Sequence, residues 1–322
     1  MRKIRVLFVA ACLSGLALLM TFAVAGATPP PVPERIKAVM VGDRLVDVAL
    51  SLGVVPEGMS LRLSLWPDKA KVLPVVSQVL GCPNCVVKKR PKAVAEFMKE
   101  RGITRLIVEK SAKFCLYMKS VNPSHVVPLV KDVPGLTVEY VDFTQGVGPA
   151  VAQAAKLFGR EERGRKVAAD YEAAMRKVEK SLPAQRLGRR VLVLNGMYVR
   201  ASGKAFVRYE APGGYSDQYI LDPLGCTNVA GELITDTMKV AKGHVSAGRL
   251  AGLAKAAPDV IVATGDAFAV QKVLRDAIKA DPSLSGVPAV KNGEIYALPF
   301  YADSGVLEYP AVFNQWRLAL TP

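Results

Sequence analysis

The feature that most constrains this chain is a single long helical face near its middle. After Gly159, the residues Val167, Tyr171, Met175, Val178 and Leu182 follow at steps of four, four, three and four, the repeat of a helix that buries one side. Glu161 and Glu162 stand early and Lys177 and Lys180 late, as the helix macrodipole favours. From Arg160 to Leu182, at about 1.5 Å per residue, such a helix reaches about 34 Å, the breadth of a small domain. A shorter helix over Pro149 to Phe158, with proline in its first turn and Gly159 after its last, leads into it. A flexible hinge would be rich in Gly and Ser; this junction is neither, so the two halves are expected to be stiffly joined, with only modest closure between them.

On either side of this helix, strand-like and helix-like stretches alternate. Ile36 to Val41, Arg105 to Glu109 and Leu136 to Val141 are β-branched runs separated by helical stretches such as Pro91 to Arg101. A second series follows at Val191 to Leu194, Asp259 to Val262 and Glu294 to Leu298. Alternation of this kind predicts open, mostly parallel sheets. The expected fold class is α/β, with two Rossmann-like lobes joined by one long backbone helix. The expected boundaries are an N-terminal lobe over residues 34–146, connecting helices over 147–182 and a C-terminal lobe over 189–322. A chain of 322 residues, 51% of them hydrophobic, has enough apolar material for two cores.

The first 27 residues read as a leader rather than as part of the fold. Arg2, Lys3 and Arg5 precede an apolar run from Val6 to Val24, and small residues at Ala23, Ala25 and Ala27 offer cleavage sites before the Pro-rich stretch Thr28 to Pro33. A retained membrane anchor is the alternative reading of the apolar run. Val9-Ala10-Ala11-Cys12 leaves only a few apolar residues ahead of a lipoprotein-type cut, so no lipid anchor is expected. The mature protein is expected in the periplasm. Loss of the leader lowers the formal charge from +15 to +12, an excess that attracts anionic ligands or surfaces. The basic residues are scattered rather than interleaved with aromatics, so nucleic acid is not an expected partner.

Local motifs add a resemblance across almost the whole mature chain. Val46 to Gly53, Gln153 to Arg165, Leu224-Gly225-Cys226-Thr227-Asn228-Val229-Ala230, Ala257-Pro258-Asp259-Val260-Ile261-Val262 and Val287 to Tyr296 occur in the order found in class III substrate-binding proteins of ABC importers. That family resembles this chain in having one backbone helix between two lobes, and it serves iron-siderophores, heme, cobalamin and some metal ions or oxyanions. The resemblance implies capture of a small metal chelate, no catalysis and no resident cofactor, the ligand itself carrying the metal. It also implies delivery to an ABC permease in the inner membrane. Docking in the family commonly uses one acidic residue on each lobe. Glu96 fits the first position, whereas Gly248 stands where the second acid would be.

In open α/β sheets, ligands bind beyond the carboxyl ends of the strands. The corresponding loops carry Tyr198, Arg200, Tyr215, Asp217 and Tyr301 in the second half, and Lys110 and Lys113 after a strand in the first. Tyrosine supplies apolar area with a hydrogen-bonding tip, and arginine a planar fork for carboxylates, so these residues are the candidate lining for a bulky anionic chelate. Cys82-Pro83-Asn84-Cys85, with Cys115, leaves other chemistries open: a thiolate site for a thiophilic metal, a disulfide, or a thiol-redox pair. Capture of an oxyanion is a further alternative. Cys226 reads as a small structural residue. With only His125 and His244 in the chain, a His-rich zinc or manganese cage is excluded, and each reads as a lone polar residue, His244 ahead of a helix. GxSxG, HExxH and GxxxxGK[ST] motifs are absent. Gly146-Val147-Gly148 lacks the third glycine of a dinucleotide loop and reads as a helix start.

Overall fold

Ala38, Val39, Met40 and Val41 are all fully buried, a run without the in-and-out alternation of a half-exposed strand. Such a strand needs helices on both faces, which is the signature of a parallel sheet. The computed structural model, which describes residues 33–322 apart from residues 249 and 251, shows this arrangement twice; the leader lies outside the described residues.

The first sheet contains β1 (Glu34–Val41), β2 (Val54–Ser60), β3 (Gln78–Gly81), β4 (Arg105–Lys110) and β5 (Thr137–Asp142) in the order β3-β2-β1-β4-β5, with every pairing parallel. The second contains β6 (Arg190–Val199), β7 (Lys204–Glu210), β8 (Thr227–Asn228), β9 (His244–Ser246), β10 (Val260–Gly265) and β11 (Ile295–Ala297). Its order is β11-β10-β6-β7-β9, with β8 beside β6; β7 pairs antiparallel with both β6 and β9, while β10 and β11 run parallel to β6.

The helices of nine residues or more are α1 (Asp43–Ser51), α2 (Ala93–Arg101), α3 (Val147–Leu157), α4 (Glu161–Ser181), α5 (Ala267–Ala280) and α6 (Tyr309–Leu320). The expected connecting helix is α4, 21 residues without a break. It packs against α3 beside the first sheet and against α6 beside the second. Gly164 lets α4 approach α3 closely, because a Cβ there would collide with that of Ala155. Further along, Val178 joins the apolar cluster of Val191, Val193, Phe313 and Trp316 under the second sheet. Each sheet is covered on both faces by such clusters, one of which takes Val306 of the second half into the core of the first. Among the described residues, no helix is long and apolar enough to cross a membrane.

Candidate functional site

Both sheets reverse their strand order beside a central strand, and the crevices opened there lie at the carboxyl ends of β1 and β4 in one lobe and of β6 and β10 in the other. At the first crevice the backbone turns from β1 into α1 through Gly42, at φ +132°. A side chain there would be strained and would strike Glu109 at the end of β4. Glycine therefore lets the first turn of α1 sit directly against β4.

That contact delivers two charged residues, Asp43 and Arg44, into the space between the lobes. Glu109 accepts from the Arg44 backbone N–H at 3.0 Å and from its guanidinium at 2.8 Å. The same guanidinium donates to the Lys113 carbonyl at 3.0 Å and pairs with Asp303, which follows β11 in the other lobe. Asp43 accepts from the Arg62 backbone at 2.9 Å, from the Arg62 guanidinium at 2.7 Å and from the Ser304 hydroxyl of the second lobe at 2.7 Å. Arg62 lies 4.3 Å above the Phe114 ring and donates to the Tyr215 hydroxyl at 2.8 Å, which also accepts the Leu116 N–H at 3.0 Å. Asp43 and Glu109 are fully buried, and Arg44 and Arg62 nearly so. Burial pulls the Arg44 guanidinium down, but Glu109 and Asp303 more than reverse this and hold it above its ordinary value. Burial pushes the Glu109 carboxyl up and Arg44 opposes it, so the pair is ionic and mutually dependent.

The second lobe meets this layer with aromatic rings. Tyr215 stacks on Tyr219 at 6.1 Å, Tyr219 meets Tyr301 edge-on at 5.2 Å, and Tyr301 meets Tyr309 at 5.0 Å. Beside them, Tyr117 of the first lobe lies edge-on to Tyr215 at 4.9 Å and to His244 at 6.0 Å, and Phe300 is 5.9 Å from His244. Glu210 accepts from the Tyr117 hydroxyl at 3.0 Å and from the Ser216 N–H at 3.1 Å, while its other oxygen has no partner. With no cation beside it, burial pushes this carboxyl up.

His244 pairs with Glu210 across β9 and β7, and the register puts Arg208 and Phe206 further along the same face, with Asn195 and Met197 opposite them on β6. Met197 and Phe206 are half exposed and form an apolar strip on this face, separated from the histidine by Arg208, which donates to Asn195 at 2.7 Å. The Nδ1 of His244 lies 2.9 Å from the Lys242 carbonyl, whereas its Nε2 is buried without a partner. The carbonyl fixes the proton on Nδ1 and leaves the Nε2 lone pair free; burial lowers the pKa and keeps the ring neutral.

The residues singled out in the sequence fall at three kinds of place. Tyr215 and Tyr301 belong to the interlobe layer. Asp217 supports it from behind, accepting from Gly213 N–H at 2.6 Å and from Asn228 at 2.9 Å, with its carboxyl pushed up to about 6 by burial. Tyr198 and Arg200 lie instead at the far end of the β6–β7 hairpin, Tyr198 edge-on to Phe268 at 5.0 Å and Arg200 exposed in the turn. Lys110 is exposed and paired with Asp142 at 2.6 Å, and Lys113 contributes its carbonyl rather than its ammonium. Glu96 is exposed on α2, and Gly248 sits in a turn with φ +51°. Cys82 and Cys85 form a disulfide, Cys115 is a buried free thiol beside Phe114 and Val121, and Cys226 is buried in the second lobe. Among the described residues no three His, Cys, Asp or Glu side chains gather to hold a metal ion, so the thiolate cage of Cys82, Cys85 and Cys115 is not assembled: two of its ligands are consumed by each other. His244 begins a strand rather than preceding a helix, and its pairing with β7 carries it into the site. Asp43, Arg44, Arg62, Glu109 and Tyr117 carry no motif in the sequence that marks them as site residues. The signal available for the first pair was their place immediately after a buried strand, at a Gly-Asp turn.

Two open α/β sheets with strand-order reversals facing each other, bridged by one unbroken helix, define a two-lobed solute-binding protein. Residues 127–302, more than half of the chain, match the family described as periplasmic binding protein, and the chain belongs to that family. Solved structures agree on the fold. The apo periplasmic heme-binding protein RhuT from Roseiflexus sp. RS-1 is 15% identical, with a TM-score of 0.53 over 89% of this chain and 98% of that one. A periplasmic heme-binding protein from Pseudomonas aeruginosa is 18% identical, with a TM-score of 0.52 over 88% and 92%. The iron-uptake system-binding protein FeuA from Bacillus subtilis is 19% identical, with a TM-score of 0.53 over 88% and 94%. No curated protein sequence matches. The family is one of non-enzymatic solute-binding proteins.

Proposed function

We propose that this protein captures a metal chelate with an open coordination position and peripheral acidic groups, of the heme type, and passes it to an ABC permease. The observation that carries the reading is the state of His244. A neutral imidazole whose Nδ1 is held by a backbone carbonyl, with a bare Nε2 turned among aromatic rings, is how proteins prepare a histidine to ligate a metal. The strip of Met197 and Phe206 supplies apolar area for a flat macrocycle, and Arg208, exposed on the same face, supplies a partner for its carboxylates. Two of the similar structures above are heme-binding proteins, which supports the same ligand class.

Entry requires Tyr117 and Phe300 to swing from the histidine. Tyr117 lies in the irregular segment of residues 111–122, outside both sheets. Export to the periplasm and docking through Glu96 complete the proposal. Titration of the protein with ferric heme, followed in the visible spectrum, tests it. His244→Ala is expected to weaken binding at least about tenfold, the usual cost of losing a metal ligand's support, and to shift the absorption bands. Arg208→Ala is expected to weaken it without moving the bands. Equal binding and identical spectra in wild type and His244→Ala would refute the assignment.

A further inference from the structure

The disulfide of Cys82 and Cys85 takes no part in the site above. It lies where β3 ends and a short helical turn begins, and both cysteines are half-buried rather than enclosed. The Cys85 N–H donates to the Cys82 sulfur at 3.2 Å. The charge around the pair is of one sign. Between Lys69 and Ala95 there is no acidic residue, while Lys88, Lys89, Arg90 and Lys92 follow the pair and are all exposed. Arg90 folds back to donate to the Leu80 carbonyl at 2.5 Å, which brings its guanidinium over Gly81, next to Cys82.

A donated N–H and nearby cations stabilise a thiolate, and a stabilised thiolate is the better leaving group when its disulfide is attacked. We propose that Cys82–Cys85 is a thiol–disulfide exchange site that accepts two electrons from an external dithiol. One thiolate of the dithiol attacks the Cys85 sulfur, the bond between the two cysteines breaks, and its electron pair passes to Cys82, where the Cys85 N–H and the lysine field hold the charge until a proton arrives. The second thiol of the partner then attacks its own sulfur in the mixed disulfide, and Cys85 leaves with that electron pair and takes up a proton. The partner ends as a disulfide and this protein as a dithiol, so two electrons and two protons have moved. The basic surroundings favour a partner whose thiols are flanked by acidic residues. The inference is independent of the identity of the transported ligand.

The test uses the full chain in its oxidised, folded form with dithiothreitol as the probe, quenched by alkylation and read by mass spectrometry. Cys82 and Cys85 are expected to become alkylated at a rate proportional to dithiothreitol concentration, with near-ultraviolet circular dichroism unchanged. Lys88→Gln/Lys89→Gln is expected to react three- to tenfold more slowly at an unaltered melting temperature, because both side chains are exposed. Reduction at a rate independent of dithiothreitol, set by unfolding, would overturn the proposal, as would a pair that stays oxidised in the folded protein. A variant that reacts at the wild-type rate would overturn it as well.

Discussion

Two buried glutamates, Glu109 on β4 in the first lobe and Glu210 on β7 in the second, both bond into the interlobe layer, yet their surroundings are opposite. Glu109 faces a guanidinium and is one pole of an ionic chain running from Arg44 to Asp303. Glu210 is met only by neutral donors, a tyrosine hydroxyl and a backbone N–H, and one of its oxygens has none. The first lobe thus uses Asp43 and Glu109 to fix arginines between the lobes, and the second holds its buried acid among rings, where burial pushes its pKa up. A site so divided has a rigid polar side that sets how the lobes meet and an adaptable aromatic side that is able to receive a ligand.

Replacing each acid by its amide breaks or sharpens this contrast most directly. Glu109→Gln is expected to cost about 3–5 kcal/mol in urea unfolding, because Arg44 is left buried and underpaired. If it costs under about 1 kcal/mol, the ionic description of the first lobe fails.

Asp47 provides the next largest effect, since it stands in the first lobe but is built like the second. Its carboxylate accepts the Leu307 N–H at 2.9 Å with no cation in hydrogen-bond contact, and burial pushes its pKa up to about 7. A raised acid binds its proton more tightly in the folded than in the unfolded chain. Its contribution is therefore fully present below about pH 4 and is lost as pH rises toward 7. Relative to wild type, Asp47→Asn is expected to gain roughly 4 °C in melting temperature between pH 5 and pH 8, about 1–2 kcal/mol for a chain of this size. Parallel melting curves across that range would remove Asp47 from the account.

Tyr215→Phe probes the seam where the two chemistries touch, because its hydroxyl accepts from both Arg62 and Leu116. A loss of about 1–2 kcal/mol is expected, from two buried donors left without a partner. The smallest effect belongs to Glu210→Gln, which keeps the shape of a side chain that faces no cation and should stay within about 1 kcal/mol. A loss as large as that of Glu109→Gln would show that the second lobe also depends on a buried charge.

The sequence exposes the scaffold far better than the layer between the lobes. The face from Val167 to Leu182 names α4 because a repeat along one element is local information. The central strands are equally visible as unbroken apolar runs, whereas β2, with Pro56 and Gly58, looks like a turn until its pairing with β1 is seen. Tyr215 and Tyr301 were legible because they lie in loops beyond strand ends. Arg44 was not: at the start of a helix it looks like a solvent-facing charge, and only its distant partners, Glu109 65 residues later and Asp303 259 residues later, make it a buried one. His244 was hidden for a related reason, since a three-residue strand has no periodicity and the pairing of β9 with β7 carries it into the site.

Those long separations also bear on how the chain is made. Asp43, Arg44 and Asp47 meet partners at Ser304, Asp303 and Leu307, between 259 and 261 positions downstream. At a synthesis rate of about 5–20 residues per second, roughly 13–50 s pass between the two ends of each contact. Once Asp142 has been made, the first sheet is complete in sequence while the turn after Gly42 still holds acids and a base with no second-lobe partner. The newborn first lobe is consequently a species with an open, hydrated polar rim. Its final step, when the last loop arrives, adds Val306 to the first core and dehydrates that rim.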